Sequence, residues 1–167
     1  VTHPKGLTEF GRKAIPKLEQ HRIVVDISHA SEPLFYDVAE IASKPLVASH
    51  SNAKAVCKHP RNLTNEQVQM IKQSGGLIGL NFHPPFLKED GIATVDDLIA
   101  HAEHFLSLDA QDSLAIGSDF DGADLPRGIR GIEGIYAVFE RFLQLGYSET
   151  LLNKIFYTNA QKFFVSL

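Results

Sequence analysis

Four short apolar runs in this chain each end on groups that can do chemistry. Ser28-His29 follows the first and Ser49-His50-Ser51 the second; Asn81 and His83 close the third, and Asp119-Phe120-Asp121-Gly122 follows the fourth. Neutral imidazole nitrogen and carboxylate oxygen together make a donor set that suits zinc and related divalent metals. Such a metal polarises a carbonyl and generates hydroxide near neutral pH. A single strand-end histidine is ordinarily a hydrogen-bonded structural residue. Two at equivalent ends of adjacent strands, with an aspartate two strands on, make a shared metal site an equal reading. Arg61, in the loop Lys58-His59-Pro60-Arg61-Asn62-Leu63, is the candidate for a planar, bidentate grip on a carboxylate. Its alternative is a solvated arginine beside a helix N-terminus.

Other residues invite chemistry less strongly. His101 and His104 have i, i+3 helical spacing, but their helix falls on the outside of the fold, so packing or supporting hydrogen bonds are expected of them. His3, His21 and His59 lie in loop-like contexts and are expected to be solvated. His83, followed by two prolines, is a weaker candidate for touching a ligand. The Asp119 to Gly122 segment is no EF-hand loop, because its glycine comes too early and no glutamate closes the span. It also looks like the nucleophile motif of haloacid-dehalogenase-like phosphatases, but no second acidic strand end follows it.

The elements that must position these groups alternate in type. The expected strands are 23–28, 45–49, 77–82 and 114–118, rich in apolar and β-branched residues. Between and around them the apolar spacing is helical. A helix over Thr8 to Gln20 is expected to kink or break at Pro16. Ser31 reads as the N-cap of the next helix, with Pro33 in its first turn. Thr64 with Gln67 forms a capping-box pattern on a helix that stops at Gly75-Gly76. Thr94 with Asp97 opens a further helix, another runs near Ile132 to Leu145, and one or two short ones follow Ser148. This βαβαβαβα order predicts a parallel α/β sheet with right-handed crossovers. Four such units are half of a (β/α)8 TIM-type barrel; an open doubly wound sheet is the competing architecture. In both, the active site sits at the carboxyl ends of the strands.

Composition bounds the partners. The chain has 167 residues, 44% hydrophobic and 22% charged, which suits one globular domain. A formal net charge of −4 argues against a nucleic-acid or anionic-membrane partner. No apolar run approaches the ~18 residues of a membrane helix. The one cysteine, Cys57, reads as a small apolar side chain and excludes an internal disulfide. That fits a reducing compartment, and a cytoplasmic location is expected on this ground. The chain opens on Val1 and its single methionine is Met70, so a cut chain or a fragment is expected.

Taken in order, Gly6-Leu7-Thr8-x-Phe10-Gly11, Val25-Asp26-Ile27-Ser28-His29-Ala30-Ser31, Ser49-His50-Ser51, Arg61-Asn62-Leu63, Gly75-Gly76 with Asn81-Phe82, and Gly117-Ser118-Asp119-Phe120-Asp121-Gly122 resemble the membrane dipeptidase (renal dipeptidase) family over essentially the whole chain. The resemblance implies a (β/α)8 barrel that holds two zinc ions and hydrolyses dipeptides. By it, the family's two later histidine ligands fall on His29 and His50. Its arginine for the substrate carboxylate falls on Arg61. Its aspartate beside the bridging water, the proton-transfer group, falls on Asp119. The family also uses a His-x-Asp pair from its first strand, a bridging glutamate from its third, and a substrate-contacting histidine from the strand before Gly6. None has a counterpart here.

Residues 1–167 are therefore expected to be the C-terminal half of a single dipeptidase barrel domain, supplying its last four βα units. Little or no activity is expected of the half alone, because two histidines fall short of the three or four ligands of a stable zinc site. The expected partners are a dipeptide substrate and the missing N-terminal half of the barrel. Two alternatives stand beside this. The chain could be a non-catalytic, self-associating fragment whose open strand edges pair in a homodimer. It could also come from another amidohydrolase-like metal hydrolase on the same barrel.

Overall fold

The computed structural model describes residues 5–166, so His3 lies outside the described residues. Helix α1 spans Glu9–Gln20, capped by the Thr8 hydroxyl, which accepts from the Gly11 amide at 3.1 Å. It runs through Pro16 as one helix where a kink or break was expected. Its inner face buries Ile15 and Glu19, while Phe10 is exposed. Glu19 is a clamp that apolar periodicity cannot reveal. Its carboxylate accepts from the Ser43 and Lys44 amides and from the Ser43 hydroxyl, tying α1 to the segment that enters the sheet.

Helix α2, Glu32–Ile41, is capped by Ser31 and carries Pro33 in its first turn. Strand β1 is Val47–Ala48. Helix α3, Asn65–Gln73, begins at the Thr64–Gln67 capping box, with both reciprocal bonds present. Strand β2 is Leu77–Leu80. A short helix α4, Pro84–Leu87, precedes α5, Val95–Ser107, which Thr94 and Asp97 open. Strand β3 is Leu114–Ile116, followed by α6, Gly134–Gln144. Helices α7, Glu149–Asn153, and α8, Asn159–Val165, are joined by a π-helical turn over Lys154–Thr158.

The strands are parallel and ordered β1-β2-β3, each beside its neighbour in sequence. A single bridge from Asp26 to Val47 extends the same order outward. The expected first strand is reduced to that bridge, and the other three are shorter than expected. The reason lies in where the amides go. Leu46 donates to the Ser74 hydroxyl, Ser49 to the Asp26 carboxylate and Asn81 to the Asn52 side chain, so side chains take over from the ladder at its ends. No reversal of strand order, the mark of a doubly wound sheet, occurs among the described residues.

One sheet face carries Ala48, Ile78, Leu80 and Leu114 into the main core with Val68, Ile71, Leu98, Phe105, Phe142 and Leu152 of the helices. The other carries Val47, Leu77 and Ala115 against Phe163 of α8. On this second face Gly79 and Gly117 leave room for the Ser49 backbone; a Cβ at either would land on the Ser49 carbonyl oxygen. Alanine at Gly79 or Gly117 is expected to destabilise the chain by about 1–3 kcal/mol through overpacking. A lower urea midpoint at unchanged m-value is the expected readout, and an unchanged midpoint would rule the close approach out.

Candidate metal and substrate site

Three carboxyl-end loops and the β2 end gather on one side of the sheet. His29 follows the Asp26 bridge and His50 follows β1. Their Nε2 atoms lie 3.0 Å apart, with the rings edge to face at a 5.0 Å centroid separation. His29 is exposed and His50 half-buried. Burial lowers the His29 pKa from its ordinary value, helped by the charges of Arg61 and His50 and opposed by those of Asp119 and Asp26.

His50 is held from behind. Its Nδ1 lies 2.7 Å from the Ser49 hydroxyl, and its backbone amide donates to the Ser28 hydroxyl at 3.1 Å. Both serines converge on Asp26. Oδ1 of Asp26 accepts from the Ser28 hydroxyl at 2.7 Å, the Ser28 amide at 3.0 Å and the Ser49 amide at 3.1 Å, while Oδ2 accepts from the Ser49 hydroxyl. Burial of the carboxyl would raise its pKa, but the bonds from Ser49 and Ser28 outweigh it and hold Asp26 below the ordinary aspartate value.

Arg61 reaches back from its loop. Its Nε donates to the Ser28 carbonyl at 2.8 Å, and its guanidinium carbon sits 5.3 Å from the centre of the Phe86 ring. These two contacts fix the guanidinium plane and leave the two terminal nitrogens without a protein partner among the described residues. Burial pulls the Arg61 pKa down, with Asp119 and Asp26 pulling it back, and an arginine so placed stays cationic at neutral pH. His59 is half-buried where a solvated residue was expected. Its ring packs on Phe86 at 4.3 Å, and its Nδ1 accepts from the Arg61 amide at 3.2 Å. Burial lowers its pKa, with Arg61 and His83 adding to the shift.

Asp119 follows β3 in the left-handed region at φ 61°, a conformation that aspartate tolerates better than most residues. Its carbonyl accepts from the Gly122 amide at 3.0 Å. Its charge acts on both His29 and Arg61. Of the four residues singled out by the sequence, His29 and His50 face each other, and Asp119 and Arg61 lie near enough to His29 for their charges to bear on its pKa. No role was read from the sequence for Asp26 or Phe86, and none for Ser49 beyond its place at a strand end; an aspartate inside a largely apolar strand was the available signal for Asp26.

His21 is the exposed C-terminal cap residue of α1. His83 packs edge-on against Phe86 at 4.8 Å. His101 is fully buried, accepting from the Ala53 amide and bonding the Leu87 carbonyl, both at 3.0 Å. His104 bonds the Asn65 side chain.

Both facing imidazole nitrogens fit a metal as two of its ligands. Among the described residues no third histidine, cysteine or carboxylate joins them to complete a site.

The model of the membrane dipeptidase family, peptidase family M19, matches residues 1–166. The chain is 37% identical over 158 residues to an uncharacterized protein in the pqqA 5′ region of Klebsiella pneumoniae, covering 92% of this chain and 58% of that protein. It is 28% identical over 164 residues to human dipeptidase 3, covering 98% of this chain and 34% of the relative. Among solved structures, it resembles a metallo peptidase from Rhodobacter sphaeroides, liganded with a phosphinate mimic of the dipeptide L-Ala-D-Ala. There the TM-score is 0.91 and the identity 39%, covering 95% of this chain and 46% of the other. The chain spans roughly a third to three fifths of the length of these proteins. The cytoplasmic location expected from the cysteine count does not stand, because the matching family is that of the membrane dipeptidases. A lone cysteine limits disulfides and does not report a compartment. No helix of the described residues is long and apolar enough to cross a membrane.

Proposed function

The chain belongs to the membrane dipeptidase family, peptidase family M19, and from that premise we propose that it is the C-terminal half of a single (β/α)8 dipeptidase barrel, supplying the last four βα units of an enzyme that hydrolyses dipeptides with two zinc ions. The observation that carries this reading is the 3.0 Å convergence of the His29 and His50 Nε2 atoms, with Arg61 and Asp119 near enough for their charges to act on His29. Sequential parallel strand order supports the barrel over a doubly wound sheet. A dipeptide mimic bound to the Rhodobacter metallo peptidase supports the substrate class.

In this reading His29 and His50 would hold zinc together with ligands from the N-terminal half. When bound, the metal supplies Lewis-acid polarisation of the peptide carbonyl and activation of water near neutral pH. Arg61 binds the C-terminal carboxylate through its two terminal nitrogens, its plane already set by Ser28 and Phe86. Asp119 takes a proton from the attacking water and passes it to the leaving amine.

The isolated chain is expected to show little or no dipeptide hydrolysis, since two ligands do not make a stable zinc site. Combined with the N-terminal half of the Rhodobacter metallo peptidase, it is expected to hydrolyse dipeptides in a zinc-dependent, chelator-sensitive way. A recombined unit with its full metal content that leaves dipeptides intact would refute the proposal. The exposed Phe10, Ile23, Phe164 and Val165 favour a second reading, in which two copies of the chain cover each other's apolar surface. A monodisperse monomer in sedimentation would exclude it.

A further inference from the structure

Ser49 has one hydroxyl proton and three claimants for it: the Asp26 carboxylate, Nδ1 of His50 and, at a longer 3.3 Å, the Ser28 hydroxyl. Every partner of Asp26 recorded here is a donor group: two backbone amides and two serine hydroxyls. A carboxylate that accepts four hydrogen bonds has no proton to give, so the Ser49 hydroxyl must point at Asp26. Its lone pair then faces His50, and the 2.7 Å contact closes only if His50 Nδ1 carries the imidazole hydrogen.

We propose that Asp26 and Ser49 are positioning residues that hold His50 in its Nδ1–H tautomer, so that its Nε2 lone pair is presented ready to ligate. The inference rests on the reading of His50 as a metal ligand. The Ser28 hydroxyl reinforces the arrangement, because it donates to Asp26 while accepting from the His50 backbone amide. Through the Asp26 carboxylate the loop after the Asp26 bridge and the loop after β1 are locked together. That fixes the direction of the His50 ring as well as its protonation. Partners of this kind, bonded to the far nitrogen of a ligating histidine, set its tautomer and raise its basicity.

A consequence follows for His29. The 3.0 Å contact between the two Nε2 atoms needs one hydrogen between them. With His50 Nε2 bare, that hydrogen belongs to His29. The two imidazoles are therefore inequivalent in the metal-free chain. His50 is preformed as a ligand, whereas His29 must move or release its Nε2 hydrogen before it can bind a metal.

The test is the tautomer itself, read by long-range proton–nitrogen correlation on the nitrogen-15-labelled chain at about pH 8 without metal. His50 is expected as Nδ1–H and His29 as Nε2–H. Ser49→Ala should shift His50 to the Nε2–H form that free histidine favours in water, while Ser49→Thr, which keeps the hydroxyl, should retain Nδ1–H. Asp26→Asn turns an acceptor into a donor toward Ser49 and should also shift His50 to Nε2–H. In the completed barrel, Ser49→Ala should weaken zinc binding about 10- to 100-fold. Wild-type His50 carrying its hydrogen on Nε2 would overturn the proposal, as would an unchanged tautomer in Ser49→Ala. These readouts need no catalysis, so they stand or fall apart from the dipeptidase assay.

Discussion

Replacing Arg61 by alanine in the completed barrel is expected to lower kcat/KM for dipeptides about 100-fold or more. The expectation follows from the loss of a charged, partly desolvated carboxylate contact, worth roughly 3 kcal/mol in such settings. The fall should appear mainly as a rise in KM, because a carboxylate remote from the reacting carbonyl is bound about equally in ground and transition states. Arg61→Lys should recover little. Lysine lacks the planar fork, cannot replace the Nε bond to the Ser28 carbonyl, and stacks less well on Phe86. The control is a dipeptide with its C-terminus amidated. The wild-type enzyme should cleave it poorly, and Arg61→Ala should cleave it no worse than wild type. An equal loss on free and amidated dipeptides would mean that Arg61 serves the fold and not the carboxylate. That result would also favour a different metal hydrolase over a dipeptidase.

The second large effect concerns stability and acid. Burial pushes the His101 pKa down to about 4, the nearby His104 adding to the fall while the Leu87 carbonyl and Asp97 oppose it. The side chain is fully buried, so the neutral form is what the fold accepts. Since the folded pKa lies below the ordinary value of 6.5, the unfolded chain binds more protons between the two values. Stability is then complete above pH 6.5 and falls as pH drops toward 4. The loss should be about 3 kcal/mol across that window, at about 1.4 kcal/mol per pK unit. Urea denaturation at a series of pH values checks it. His101→Gln should be less stable at neutral pH, having lost well-placed bonds to Ala53 and Leu87, and should show a flatter profile between pH 6.5 and 4. A wild-type profile that is flat over this window would sink the argument. Because His101 anchors Ala53, in the loop that carries Arg61, acid should loosen that loop.

The strand-end residues were legible because their signal is local. An apolar run followed by Ser-His or by Asp-x-Asp-Gly can be read in a few residues, and the two strand-end histidines, His29 and His50, do meet. Helix starts were legible for the same reason, since a capping box is written within four residues and Thr64–Gln67 closes as spelled. Strand lengths were not. The ladder gives way where Leu46, Ser49 and Asn81 hand their amides to the side chains of Ser74, Asp26 and Asn52, each more than twenty residues away. Pro16 was expected to kink or break α1, and the helix is not broken there. His59 was expected in solvent because its loop is polar, and it is Phe86, from helix α4, that covers it.

By itself, then, the amino-acid order determined the alternation of strands and helices, the caps, and which side chains end each strand, because all of these depend on neighbours within a turn or two. Only the tertiary structure decided how those side chains are used. It set the two Nε2 atoms face to face, put Asp26 behind His50 through Ser49, and oriented Arg61 between Ser28 and Phe86. Each of those arrangements joins groups more than twenty residues apart in the chain. No periodicity records such pairs, since parallel strands meet only after an intervening helix has carried the chain back along the sheet.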